Sequence, residues 1–146
     1  MSSATNTAIT AADIMTANPR TCSVFSSVLE AVMLFRDADC GAVPILHDGE
    51  PVGILTDRDV ALALPEHPDL ASCAVSDIMT KGLVTVMSDA TLDHVISTFR
   101  ERGGVRRLLV VDASKQIQGV IAFSDLAPYL SSNELGKVVS SVIEKS

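Results

Sequence analysis

The chain has 146 residues, the size of one ordinary domain, and its 47% hydrophobic and 20% charged residues exclude a disordered or fibrous chain. Eleven basic residues against 18 acidic ones leave a net charge of −7, which opposes a sequence-blind grip on nucleic-acid phosphates. No apolar run approaches the roughly 18–20 residues of a membrane span, and the opening MSSATNTAIT lacks a basic stretch followed by an apolar one, so the expectation is a soluble, cytoplasmic protein.

Residues 1–10 read as a disordered lead. Asp13-Ile14-Met15-Thr16 then reads as a turn, followed by an extended stretch over Arg20–Val24. Ser27-Val28-Leu29-Glu30 is an S-x-x-E capping box that opens a helix, with Val28, Val32 and Phe35 on one face. Strands Ala42–Leu46 and Pro51–Leu55 flank His47-Asp48-Gly49-Glu50, whose Asp-Gly is a strong hairpin signal. A second helix is predicted over Arg58–Leu64, and Pro65–Val75 reads as a linker marked by Pro65 and Pro68.

The same order then recurs. Asp77-Ile78-Met79-Thr80 repeats the first tetrapeptide letter for letter at an offset of 64, and Phe99-Arg100 repeats Phe35-Arg36 at the same offset. After Leu83–Met87, Thr91 takes the cap position of a helix faced by Leu92, Val95, Ile96 and Phe99. Strands Arg107–Val111 and Ile117–Ala122 flank the polar turn Asp112–Gln116, and a helix is predicted over Ser124–Leu130. Gly53-Ile54-Leu55-Thr56-Asp57-Arg58-Asp59 meets Gly119-Val120-Ile121-Ala122-Phe123-Ser124-Asp125 at an offset of 66. A final amphipathic helix, Asn133–Lys145, carries Leu135, Val138, Val139 and Val142.

The prediction is an α/β (α+β) domain of two β-α-β-β-α repeats, residues 11–64 and 76–130, joined by 65–75 and followed by 131–146. A unit of about 60 residues is marginal alone, and the apolar runs of both repeats suit strands covered on two faces. Two halves packed with pseudo-two-fold symmetry answer both points. The charge divides unevenly: residues 1–73 hold three Lys/Arg and ten Asp/Glu, whereas residues 74–146 hold eight of each.

Cys22, Cys40 and Cys73 form no C-x-x-C, and each sits among apolar or small residues, so buried structural thiols are expected. His47, His67 and His94 make no metal-ligand spacing, although a zinc site through His67 and His94 stays open. No G-x-S-x-G, phosphate-binding loop or dinucleotide fingerprint is present, so no enzymatic activity is expected.

The DIMT opening, the Pro-Ile-Leu strand and the Gly-Ile-Leu-Thr-Asp-Arg-Asp close resemble the CBS (cystathionine β-synthase) domain, and their double occurrence resembles a tandem CBS pair, or Bateman module. The resemblance covers roughly residues 11–130. It implies binding of adenosine-containing ligands, AMP, ADP, ATP or S-adenosylmethionine, in clefts between the repeats, with no required cofactor. It also implies a homodimer forming a disc of four repeats, a stand-alone regulatory protein and a protein target not identifiable from sequence. The competing readings are a ligand-free dimerisation or interaction module and, further off, a metal-responsive protein.

The resemblance assigns roles residue by residue. Thr56 would meet a phosphate and Asp59 the ribose hydroxyls, with Asp57 and Arg58 beside them. A helix start suits phosphate through its unpaired N–H groups, and Arg58 can add a charge-assisted contact. The same Thr-x-x-Asp is also an ordinary capping pattern, and the two roles are compatible. Thr16, Ala17, Asn18, Pro19 and Arg20, with Val43 and Pro44, would line the purine side in the first repeat. In the second, Thr80, Lys81, Gly82 and Leu83 would do so with Arg107 and Leu108, while Ser124 and Asp125 take the ribose end. Ala122 and Phe123 depart from the pattern there, because the hydroxyl is lost. Arg100, Arg102, Arg106 and Arg107 form the basic cluster, either as a solvated helix end or, for Arg106 and Arg107, as phosphate contacts.

Overall fold

The computed structural model describes residues 9–103 and 105–130. The proposed C-terminal helix and residues 1–8 of the proposed lead lie outside that range. In chain order the elements begin with helix α1 (Ala11–Ile14), strands β1 (Thr16–Ala17) and β2 (Cys22–Ser23) and helix α2 (Val28–Asp37). Strands β3 (Ala42–His47) and β4 (Glu50–Thr56) and helix α3 (Asp57–Ala63) follow. After three 3-10 turns come β5 (Thr85–Met87), α4 (Leu92–Arg102), β6 (Arg107–Val111), β7 (Ile117–Ala122) and a 3-10 helix over Phe123–Tyr129.

Local chemistry explains most of these boundaries. The Ser27 and Thr91 hydroxyls accept from Glu30 N at 3.2 Å and His94 N at 3.2 Å, so α2 and α4 each begin with an orphan donor satisfied. Gly103 ends α4 at φ 45°, its N–H bonded to the Phe99 carbonyl, with Arg100 and Arg102 in the last turn facing the helix dipole. Asp48 (φ 52°) and Gly49 (φ 84°) make the β3–β4 hairpin a two-residue turn of the left-handed kind that Asp-Gly favours. One expectation is corrected: Ser124–Leu130 is not an α-helix. Pro128 lies inside it and removes a backbone donor, leaving a 3-10 helix.

Two compact units result. Among the described residues, the first comprises Pro19–Leu83 with Lys115–Ile117, and the second comprises residues 9–18, 84–114 and 118–130. In the first, β2 pairs parallel to β3 and β3 antiparallel to β4. Its core gathers Val28 and Ala31 of α2, Val43, Ile45 and Leu55 of the sheet, and Leu70 and Val75. The predicted linker is therefore not a loose connector. Leu70 and Val75 are buried, and the Cys73 carbonyl accepts from Val28 N at 2.8 Å.

In the second unit the sheet order is β1-β7-β6-β5. Its core joins Val95, Ile96 and Phe99 of α4 to Leu108, Val110 and Ile121, with Leu126 and, from the start of the chain, Ala11 and Ile14. Sequence order thus hides a crossing. Thr16 and Ala17, from the first repeat, pair antiparallel with Val120 and Gly119 of the second. Thr80, from the second, forms the matching bridge with Ile54 of the first, through bonds of 3.0 and 2.9 Å.

The two strand glycines explain why Met-Thr recurs. A Cβ on Gly53 would stand 2.3 Å from Met79 Sδ, and one on Gly119 would stand 2.4 Å from Met15 Sδ and 2.8 Å from the Thr16 carbonyl. Each repeat's Met is seated on the other repeat's glycine. Met79 can swing aside, but the Thr16 carbonyl is fixed by the β1–β7 ladder. Gly119→Ala should therefore cost about 1–3 kcal/mol, the range for overpacking, and more than Gly53→Ala. Urea midpoints at unchanged slope would measure both; equal losses would contradict the seating.

The cysteines are only partly as expected. Cys22 is buried, and burial followed by the Glu30 charge raises its thiol pKa. Cys40 and Cys73 are half-buried, because Cys40 precedes β3 in a turn and Cys73 follows the short 3-10 turn Leu70–Ser72.

Candidate functional site

The Thr56–Asp59 motif sits where β4 hands the chain to α3. Asp59 N donates to Thr56 Oγ1 at 3.1 Å, and Thr56 N donates to Asp59 Oδ2 at 2.9 Å. This is a reciprocal capping box, and Asp57 N is also taken, by the Gly41 carbonyl at 3.1 Å. Helix α3 has only seven residues, so its dipole adds little and side chains must do the recognising. The capping role is thus realised in full.

A third residue completes the cluster. The bridge between Thr80 and Ile54 brings the Thr80 hydroxyl to 3.5 Å from both Asp59 carboxylate oxygens. That is the outer limit of a hydrogen bond, so Asp59 retains acceptor capacity for a better donor. Asp59 and Thr56 are half-buried, whereas Thr80 is exposed. A carboxylate with Oδ2 anchored to backbone and both oxygens at long range from a single hydroxyl suits a vicinal diol, which presents two O–H donors. Arg58, Lys81 and Arg20 are exposed on the same unit and offer positive charge.

The two predicted sets are regrouped by the crossing. Pro19, Arg20, Val43, Pro44, Thr56, Asp57, Arg58 and Asp59 fall in the first unit together with Thr80, Lys81, Gly82 and Leu83. Thr16, Ala17 and Asn18 fall in the second, with Arg106, Arg107, Leu108, Ser124 and Asp125. The physical reason is the antiparallel pairing of each post-DIMT segment with the other repeat's last strand. A strand glycine was the available signal, since Gly weakens a strand unless another chain segment must approach closely.

The second unit holds a reduced version of the arrangement. Ala122 N donates to Asp125 Oδ2 at 2.8 Å, so half of the capping box survives, but Ala122 has no hydroxyl to return the bond. Thr16, paired with Val120, occupies the place that Thr80 has in the first unit. Asn18 lies in the left-handed region at φ 52°, its N–H on the Gln118 carbonyl at 3.1 Å. Phe123 stacks edge-on against Phe99 at 6.0 Å, its N–H donating to the Arg106 carbonyl at 2.8 Å. Phe123 is therefore turned to the core and is no obstacle on the surface. Leu108 is fully buried, Arg107 half-buried, and Arg106 and Ser124 exposed. Among the described residues, no helix is long and apolar enough to cross a membrane.

Comparison with known proteins agrees with this architecture. The family model of the CBS domain matches residues 11–66 and again 75–132. The Bacillus subtilis protein YlbB is 34% identical over 135 residues, spanning 90% of each chain. The CBS domain protein TA0289 of Thermoplasma acidophilum superposes with a TM-score of 0.80 at 24% identity, over 94% of this chain and 78% of that one. The CBS domain pair of protein MJ0100, solved with 5′-methylthioadenosine and S-adenosyl-L-methionine, superposes with a TM-score of 0.72 at 25% identity, over 84% of this chain and all of that one. With two family matches that together span most of its length, the chain belongs to the CBS-domain family.

Proposed function

We propose that the chain is a regulatory module that binds an adenosine-containing ligand and reports its presence to a protein target. The observation that carries this reading is the Thr56, Asp59 and Thr80 cluster, in which Asp59 faces a hydroxyl at only 3.5 Å. A ribose diol is a stronger donor pair at that carboxylate than one long hydroxyl contact. The ligands of the MJ0100 pair share an adenosine group, which supports the same class here. Within that class AMP, ADP, ATP and S-adenosylmethionine are the candidates. Arg20, Arg58 and Lys81 favour those that carry phosphate, whereas Val43 and Pro44, expected on the purine side, are buried in the central strand β3.

In the second unit, Asp125, Ser124 and Thr16 make a weaker candidate, since Ala122 supplies no hydroxyl. We read the chain as a homodimer that catalyses no reaction and needs no cofactor. The free thiols of Cys22, Cys40 and Cys73 support a reducing, cytoplasmic setting. The rival reading, a ligand-free interaction module, is favoured by one observation: Thr56 and Asp59 already satisfy each other.

Thermal denaturation separates the two. A ligand that binds only the folded chain adds about 2.7 kcal/mol at a concentration of 100 Kd. An adenosine ligand should raise the melting temperature while guanosine and uridine nucleotides should not. No shift with any of the four candidates at millimolar concentration would leave the interaction module standing.

A further inference from the structure

The turn that follows α3 gathers an imidazole and a carboxylate around one thiol. Cys73 Sγ stands 3.9 Å from His67 Nδ1 and 3.8 Å from Asp69 Oδ1, with the Asp69 carbonyl oxygen at 3.7 Å. A thiol is a weak donor, and contacts of this length do little to hold it. They come close, however, to the spacing of ligands on one ion. Zinc bonds sulfur at about 2.3 Å and nitrogen or oxygen at about 2.0–2.2 Å, so tetrahedral ligands stand roughly 3.5 Å apart.

The backbone fixes where these side chains start. Leu70 N donates to the His67 carbonyl at 3.1 Å, Ser72 N to the Asp69 carbonyl at 2.9 Å and Cys73 N to the Leu70 carbonyl at 3.0 Å. Leu70 is buried and anchors the turn in the core of the first unit. On its far side the Cys73 carbonyl accepts from Val28 N, and Val75 N donates to the Ser26 carbonyl at 2.9 Å, so the turn is seated on the start of α2. His67 and Cys73 are half-buried, whereas Asp69 is exposed.

We propose that Cys73, His67 and Asp69 bind a zinc ion, which clips the turn shut from His67 to Cys73 and steadies the start of α2. Among the described residues no three such donors already surround one point. His67 and Cys73 are the preformed pair, and the exposed Asp69 carboxylate closes on the ion by a side-chain rotation. The donor set selects the metal: thiolate and imidazole suit zinc, whereas magnesium and calcium take oxygen ligands. Asp77 adds a second negative charge to the field at the sulfur. Binding exchanges the thiol proton for the ion, and that proton leaves to solvent. His94, the other histidine open to a zinc reading, belongs to the second unit and is not needed. None of the three ligands belongs to the Thr56, Asp59 and Thr80 cluster, so the site is independent of the adenosine reading.

Titration of the reduced, metal-free full chain with cobalt(II) tests this, because cobalt held by a thiolate gives a sulfur-to-metal charge-transfer band in the near ultraviolet. The wild type should give that band, saturating at equimolar cobalt, and zinc should abolish it by displacement. Cys73→Ser should lose the band, while Cys22→Ser and Cys40→Ser should keep it. His67→Ala and Asp69→Asn should each weaken cobalt binding at least about tenfold, with the metal-free melting temperature unchanged. Zinc should raise the melting temperature of the wild type and leave that of Cys73→Ser where it was. Absence of the band in the wild type, its survival in Cys73→Ser, or an affinity indifferent to His67→Ala or to Asp69→Asn overturns the site.

Discussion

Phe99→Ala is expected to destabilise the chain by about 3–5 kcal/mol, the range for truncating a fully buried aromatic side chain. Phe99 is the largest fully buried side chain among the described residues and stacks on Phe123, which positions the turn that carries Asp125. Its removal leaves a cavity among Val95, Leu108, Ile121 and Leu126 that the fixed sheet cannot close. The matching residue of the first repeat, Phe35, is half-buried and lines an open groove. Phe35→Ala should therefore lose less than half as much. Urea unfolding of both variants checks the pair, and equal midpoints would contradict the difference in burial.

Asp59→Ala is expected to weaken adenosine-ligand binding by about 10–100-fold, since hydrogen bonds to a charged group contribute about 1.5–3 kcal/mol. The same change removes the acceptor for Thr56 N and so costs about 1 kcal/mol of stability as a lost cap. The two effects separate in Asp59→Asn, which keeps a side-chain oxygen to accept from Thr56 N but loses the charge: stability should be largely restored and affinity should not. Asp125→Ala supplies the matched control. It too loses a cap bond, to Ala122 N at 2.8 Å, yet should leave the tighter site nearly intact. If Asp59→Asn binds as well as wild type, the carboxylate is a cap and nothing more.

What the sequence revealed was governed by short-range chemistry. The Asp48-Gly49 turn, the Ser27 and Thr91 caps and the buried runs of β3 and β6 each follow from a few adjacent residues. The internal repeat was visible because its letters recur, and with the DIMT and Gly-Ile-Leu-Thr motifs it led to the CBS family. The partner of each DIMT segment was not visible. Thr16 meets Val120 across most of the chain, and no local preference reports a pairing of that range. The glycines at 53 and 119 held the clue, because a strand keeps a glycine where another backbone or side chain presses in. The same crossing moved Thr80 into the Asp59 cluster, so the site was legible as a set of residues but not as a grouping. Pro128 is legible too, and the backbone donor it removes is what leaves the last helix 3-10.

The central claim is that the first unit's Thr56, Asp59 and Thr80 hold an adenosine ligand. Isothermal titration of the full chain with AMP, ADP, ATP and S-adenosylmethionine, repeated on Asp59→Ala and Asp125→Ala, tests it most directly. Saturable binding of at least one of these is expected, weakened at least tenfold by Asp59→Ala and nearly unchanged by Asp125→Ala. Absence of binding by all four at millimolar concentration, or a loss confined to Asp125→Ala, would contradict it.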